Sequence, residues 1–142
     1  MSISLKEERR ANMEMSLATE HKKTILVVDD EDLIRSYLHD LLEDHGYRVF
    51  LAADGKAAMR VFEAQNIDLV LTDIVMPEHD GFELIRAFKS EVPIVAMTGH
   101  DRIGGVYLNT AELLGAVTVT KPILGLSLLE TIRELFEQTD AL

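Results

Sequence analysis

The 142-residue chain predicts an α/β domain with a parallel sheet and helices on both faces. Two observations carry this expectation. Short strand-like runs alternate five times with segments of helical period. The connections between them are short, as βα units require.

Residues 24–28, TILVV, form a β-branched run that suits a buried strand. Leu33, Ile34, Tyr37, Leu38, Leu41 and Leu42 then recur at helical spacing, and Gly46 closes the segment. RVFLA, 48–52, reads as a second strand. Asp54 is placed to cap a helix running to about Ala64. IDLVLTD, ending at Asp73, is the third strand. A helix over about 81–90 follows the loop MPEHDG, in which Asp80-Gly81 has the chemistry of a tight turn. PIVAMT, 93–98, is the fourth strand, and a helix over about 105–114 follows Gly104 and Gly105. VTVTK, 117–121, is the fifth strand, and 125–138 the last helix.

Residues 1–23 mix charges with little apolar content, and Met13 and Met15 leave open a shorter start. They are expected to be an extension, flexible or partly helical, with the folded domain spanning 24–142 and no second domain after it. The chain has no cysteine, which excludes disulfides and thiolate zinc sites. Its apolar runs are no longer than strands, and its N-terminus has no apolar signal core, so a cytoplasmic, non-membrane protein is expected. The net charge is −11, and residues 24–142 alone hold nine basic and 21 acidic groups. Such a body disfavours nucleic acid as a partner, because phosphate affinity comes from Lys and Arg. It suits a divalent cation, a basic protein partner or plain solubility.

In a parallel sheet, ligands gather outside the carboxyl ends of the strands. Asp29 and Asp30 follow strand 1, Asp73 ends strand 3, Thr98 ends strand 4, and Lys121 with Pro122 ends strand 5. Taken singly, each has a plain structural reading. Asp29-Asp30 resembles a helix cap, Asp73 a turn residue, Thr98-Gly99 a strand-end turn and Lys121-Pro122 a chain kink. Together, three carboxylates on one rim need a cation to stay ionised. All-oxygen ligands suit Mg²⁺ or Ca²⁺, and Mg²⁺ in particular bridges carboxylates to phosphate. An ammonium and a hydroxyl beside them suit the oxygens of a phosphoryl group, and a carboxylate there can accept it. Glu31 and Asp32 are expected at the first turn of the following helix, where its dipole favours negative charge. The five histidines (His21, His39, His45, His79, His100) show no ligand spacing.

VVDDE, LTDIVMPEHDGFEL, VAMTG and VTKP, in this order, resemble the motifs of the bacterial two-component response-regulator receiver domain, in its single-domain, chemotaxis-Y-like form. The resemblance spans about residues 24–138. It implies a flavodoxin-like sheet in the order 2-1-3-4-5 with five helices. It implies that Asp73 is the phosphoacceptor and also a Mg²⁺ ligand, that Asp30 binds Mg²⁺ directly and Asp29 largely through water, and that the Val75 backbone carbonyl is a further ligand. Thr98 and Lys121 would contact the phosphoryl group, and the Lys121–Pro122 bond would be cis. Val75 cannot orient water and His100 can block it, so slower self-dephosphorylation is expected than with Asn at position 75.

The chain departs from the family in one region. The position three before the strand-5 lysine usually holds an aromatic residue that turns inward on phosphorylation, and here it is Thr118. The stretch from Gly115 to Lys121 is one residue shorter than usual, and that from Thr98 to Gly115 slightly longer. Tyr107 is a candidate replacement ring.

The expected role is a single-domain response regulator that takes phosphoryl from a sensor histidine kinase or histidine phosphotransfer protein and acts on a downstream protein. The alternatives are a phosphorelay intermediate or phosphate sink and, third, a binding module indifferent to phosphorylation. A switch is expected rather than an enzyme: the second aspartate that dehalogenase-type phosphatases place two residues after their nucleophile is here Val75, and no GxGxxG or GxxxxGK[ST] loop is present.

Overall fold

The computed structural model describes residues 4–10, 22–76, 81–99 and 105–141. A short exposed helix, α1, covers residues 5–10. Strands β1 (Thr24–Val28), β2 (Arg48–Ala52), β3 (Leu69–Asp73), β4 (Ile94–Thr98) and β5 (Val117–Thr120) then alternate with helices α2 (Asp32–Asp44), α3 (Gly55–Ala64), α4 (Gly81–Phe88), α5 (Val106–Leu113) and α6 (Gly125–Asp140). The five strands form one sheet in the order β2-β1-β3-β4-β5, with every pair parallel. This is the flavodoxin-like arrangement, with six helices among the described residues rather than five. The additional one is α1.

The three central strands are buried at every position. Their side chains alternate between two cores. Leu26, Val28, Val70 and Ala96 face a cluster that includes residues of α3, α4 and α5. Ile25, Val27, Leu69, Leu71, Val95 and Met97 face a cluster filled by α2 and α6. Cover on both faces is why these strands carry continuous apolar runs.

Local signals set the helix ends. Asp54 accepts a hydrogen bond from the Ala57 N–H at 2.8 Å and so caps α3 as its position predicts. Gly105 caps α5 with φ +84°, a left-handed conformation that favours glycine, so α5 begins after it. The apolar stripe of α2 is narrower than its sequence suggests. Leu38 and Leu42 are buried, whereas Leu33 is 85% exposed. Five residues at about 100° each place Leu33 roughly 140° around the axis from Leu38.

The register sets Val28 beside Ala52 and Thr72, Asp73 beside Met97, and Thr98 beside Thr120. The carboxyl ends of the strands therefore share one rim. Met13, Met15, Asp80, Gly104, and the histidines His21, His79 and His100 lie outside the described residues.

Candidate functional site: a lysine-bridged acidic rim

Asp29 directly follows β1 and has no exposure at all. Its N–H continues the β1–β2 ladder to the Ala52 carbonyl, its Oδ1 accepts from the Glu31 N–H at 2.9 Å, and its Oδ2 accepts from Lys121 Nζ at 2.8 Å. Asp73, at the end of β3, is also buried. Its Oδ2 accepts from the same ammonium at 3.2 Å, and its Oδ1 accepts from the Val75 N–H at 3.3 Å. Lys121 thus joins strand ends that lie 92 and 48 residues away in sequence. Its N–H bonds the Thr98 carbonyl at 3.1 Å, and the Lys121–Pro122 bond is cis.

Two glycines make room for this arrangement. A Cβ on Gly81 would stand 2.2 Å from the Asp73 carbonyl oxygen, so only glycine lets the start of α4 sit against the end of β3. A Cβ on Gly99 would meet the Lys121 stem at 3.1 Å.

Burial pushes the Asp73 carboxyl above its ordinary value, the nearby Asp29 charge adds to this, and Lys121 offsets only part. Lys121 shows the opposite balance. Burial alone would lower it, but the hydrogen bond to Asp29 and the charges of Asp73 and Asp29 raise it overall. A firmly protonated ammonium therefore sits between two buried acids, one of which is reluctant to ionise.

Of the site residues predicted from sequence, Asp29, Asp73 and Lys121 are brought into direct contact. Thr98 is buried at the end of β4, while Asp30 is exposed. The acids that cluster here differ from the predicted metal set in two respects: Glu31 joins Asp29 and Asp30, and Asp73 is not among them. Ligand oxygens of Asp29, Asp30 and Glu31 come within 4.8 Å of one another, the only such group of acids or histidines among the described residues. Glu31 was expected in the first helical turn. It is instead the N-cap position of α2, without a capping bond from its side chain, and its carboxylate lies 3.8 Å from Lys121 Nζ. Asp32 alone holds the acidic place in the first turn. Oxygen donors at this spacing fit a hard divalent cation.

Sequence reading also passed over Arg35. Its Nη1 donates to the Asp29 carbonyl and its Nη2 pairs with Asp32. An arginine at helical spacing carries no signal of a contact back to the preceding loop.

At the departing end of the sheet, Thr118 donates from its hydroxyl to Glu112 Oε1 at 2.7 Å, tying β5 to α5. Tyr107 is half-buried and stacks with Phe82, ring centroids 6.2 Å apart.

A sheet of this order, with buried acids and a lysine on its carboxyl rim, defines the receiver class of signalling domain. Residues 25–133 match the family model described as the response regulator receiver domain, and the chain belongs to that family. It is 36% identical over 126 residues to the "Probable transcriptional regulator ycf27" of Cyanophora paradoxa, covering 84% of this chain and 51% of that protein. It is 44% identical over 85 residues to the "CAI-1 autoinducer sensor kinase/phosphatase CqsS" of Vibrio cholerae, covering 56% of this chain and 12% of that one. The chain spans about half the length of the ycf27 relatives it matches. Among solved structures, a CheY-like receiver domain protein of Methanospirillum hungatei superposes with a TM-score of 0.76 at 31% identity, covering 84% of this chain and 98% of that one. The chemotaxis protein CheY4 of Vibrio cholerae gives 0.72 at 28% identity, with 80% and 98% covered. No helix among the described residues is long and apolar enough to cross a membrane.

Proposed function

We propose that the chain is a phosphoacceptor switch of two-component signalling, and that Asp73 accepts phosphoryl from a sensor histidine kinase or a histidine phosphotransfer protein. The observation that carries this reading is the single ammonium of Lys121 held between the buried carboxylates of Asp29 and Asp73. In the forward step an Asp73 oxygen attacks phosphorus, the phosphorus–nitrogen bond of the donor histidine breaks, and the imidazole leaves with that electron pair. Lys121, whose ammonium bonds Asp73 Oδ2, is assigned to a phosphoryl oxygen, taken up as Asp73 gives up its share of that ammonium. The Thr98 hydroxyl, at the neighbouring strand end, is assigned to a second phosphoryl oxygen. Asp29, Asp30 and Asp73, with the Val75 carbonyl, are assigned to Mg²⁺, and Glu31 offers a further carboxylate beside Asp29 and Asp30. When bound, Mg²⁺ would neutralise phosphoryl charge on a rim otherwise rich in acids. The role is that of a switch that catalyses its own phosphorylation and hydrolysis, acting on a downstream protein.

A second reading, a phosphorelay intermediate or phosphate sink, is favoured by Thr118. The position that carries a moving ring in the family here carries a hydroxyl bonded to Glu112.

Intact mass after incubation with acetyl phosphate tests the first reading. The expected result is one phosphoryl adduct that needs Mg²⁺ and is absent in Asp73→Ala. An adduct retained in Asp73→Ala, or formed equally in chelator, contradicts it. Rapid return of the phosphoryl group to a histidine phosphotransfer protein favours the relay reading.

A further inference from the structure

We infer that Arg35 is a positioning residue for the divalent-cation site, an inference that rests on the cation-dependent reading above. Arg35 is the fourth residue of α2, and its side chain is only 17% exposed. Nη1 donates to the Asp29 backbone carbonyl at 2.6 Å, a short charge-assisted bond. Nη2 pairs with the exposed Asp32, and the Arg35 N–H bonds the Glu31 carbonyl at 3.1 Å.

The Asp29 carbonyl belongs to the peptide that joins Asp29 to Asp30. Capping it fixes the plane from which both carboxylates leave the chain. The other bonds on this turn hold Asp29 from its N–H and its side chain. Arg35 supplies the bond on the Asp30 side. A planar guanidinium caps the Asp29 carbonyl and pairs with Asp32 at the same time, and a lysine ammonium in its place could keep the carbonyl bond alone.

Two effects of Arg35 on a bound cation oppose each other. Its charge repels a nearby divalent ion. Its hydrogen bond pre-sets the loop that carries the ligands, and ordering that loop otherwise costs binding energy. The short bond to the carbonyl and the partial burial of the side chain favour the second effect. Groups that orient metal ligands typically govern about tenfold or more in affinity.

The test is calorimetric titration with MgCl₂ of the wild-type chain, Asp30→Asn, Arg35→Met and Arg35→Lys, with thermal unfolding of each in chelator. Wild type is expected to bind and Asp30→Asn to lose binding. Arg35→Met is expected to bind roughly tenfold more weakly, and Arg35→Lys to recover most of the loss. Tighter binding by Arg35→Met would show that charge repulsion dominates and would overturn the inference. So would equal weakening in Met and Lys variants that tracks a lowered unfolding temperature, since that marks a stability role alone. Should Arg35→Met fail to fold, Arg35→Gln decides, with weaker binding supporting the inference and tighter binding overturning it. Absence of Mg²⁺ binding in wild type itself would remove the cation reading, a result distinct from any ordering among the Arg35 variants.

Discussion

The two sides of the sheet's carboxyl rim are built differently. On the β1–β3 side the strands are buried throughout, and Asp29 and Asp73 have almost no solvent. On the α5–β5 side the edge strand is exposed or half-exposed along its length, and its cross-link to α5 is the surface hydrogen bond Thr118–Glu112. Lys121 belongs to both, following β5 in sequence while its ammonium is held by acids of the other side. Chemistry that needs fixed charges sits where water is excluded and contacts are costly to move. The face on which the chain departs from its family sits where contacts are cheap to change.

The largest expected effect comes from cutting the link between the two sides. Lys121→Met leaves two buried acids without their cation and should cost about 3 kcal/mol in urea unfolding with chelator present. A loss below roughly 1 kcal/mol, the range of surface pairs, would mean that water reaches the two acids and the ion pair is not a buried one. Gly81→Ala comes next. The added methyl meets the Asp73 carbonyl and the Ile74 Cα, so α4 must shift, at about 1–3 kcal/mol by denaturant titration. Phosphoryl uptake at Asp73 should fall with it.

Asp73→Asn should act through pH. The folded carboxyl titrates above its ordinary value because it is buried, so the folded state holds this proton where the unfolded chain has released it. The stability this confers is complete below the ordinary carboxylate range and is lost as pH rises through the folded value. In chelator, Asp73→Asn should therefore unfold at a higher temperature than wild type at pH 7, with the gap closing toward acid. An unchanged gap across pH would contradict the assigned cause. The smallest effect is on the other face. Thr118→Ala should cost about 1 kcal/mol or less and leave phosphoryl uptake unchanged.

Much of this was legible in the residues. β1, β2 and the Asp54 cap lie where the runs and the turn residue put them, because short apolar runs and side-chain caps are local signals. The rim followed from strand ends alone, since in a parallel sheet those ends share one edge. What escaped depends on three-dimensional placement. Leu33 fits a helical apolar pattern but falls on the wrong side of α2. Glu31 turns toward Lys121, a partner 90 residues away in sequence. Arg35 reaches a backbone carbonyl, and backbone partners leave no trace in side-chain periodicity.

Amide hydrogen exchange before and after phosphorylation at Asp73 tests most directly whether the two sides are separately built. Slowed exchange is expected at residues 29–31, 73–76 and 98–99, with residues 106–120 unchanged. A change across 106–120 as large as that at the rim would contradict it, and would show that Thr118 and Tyr107 carry the signal that a moving ring carries elsewhere in the family.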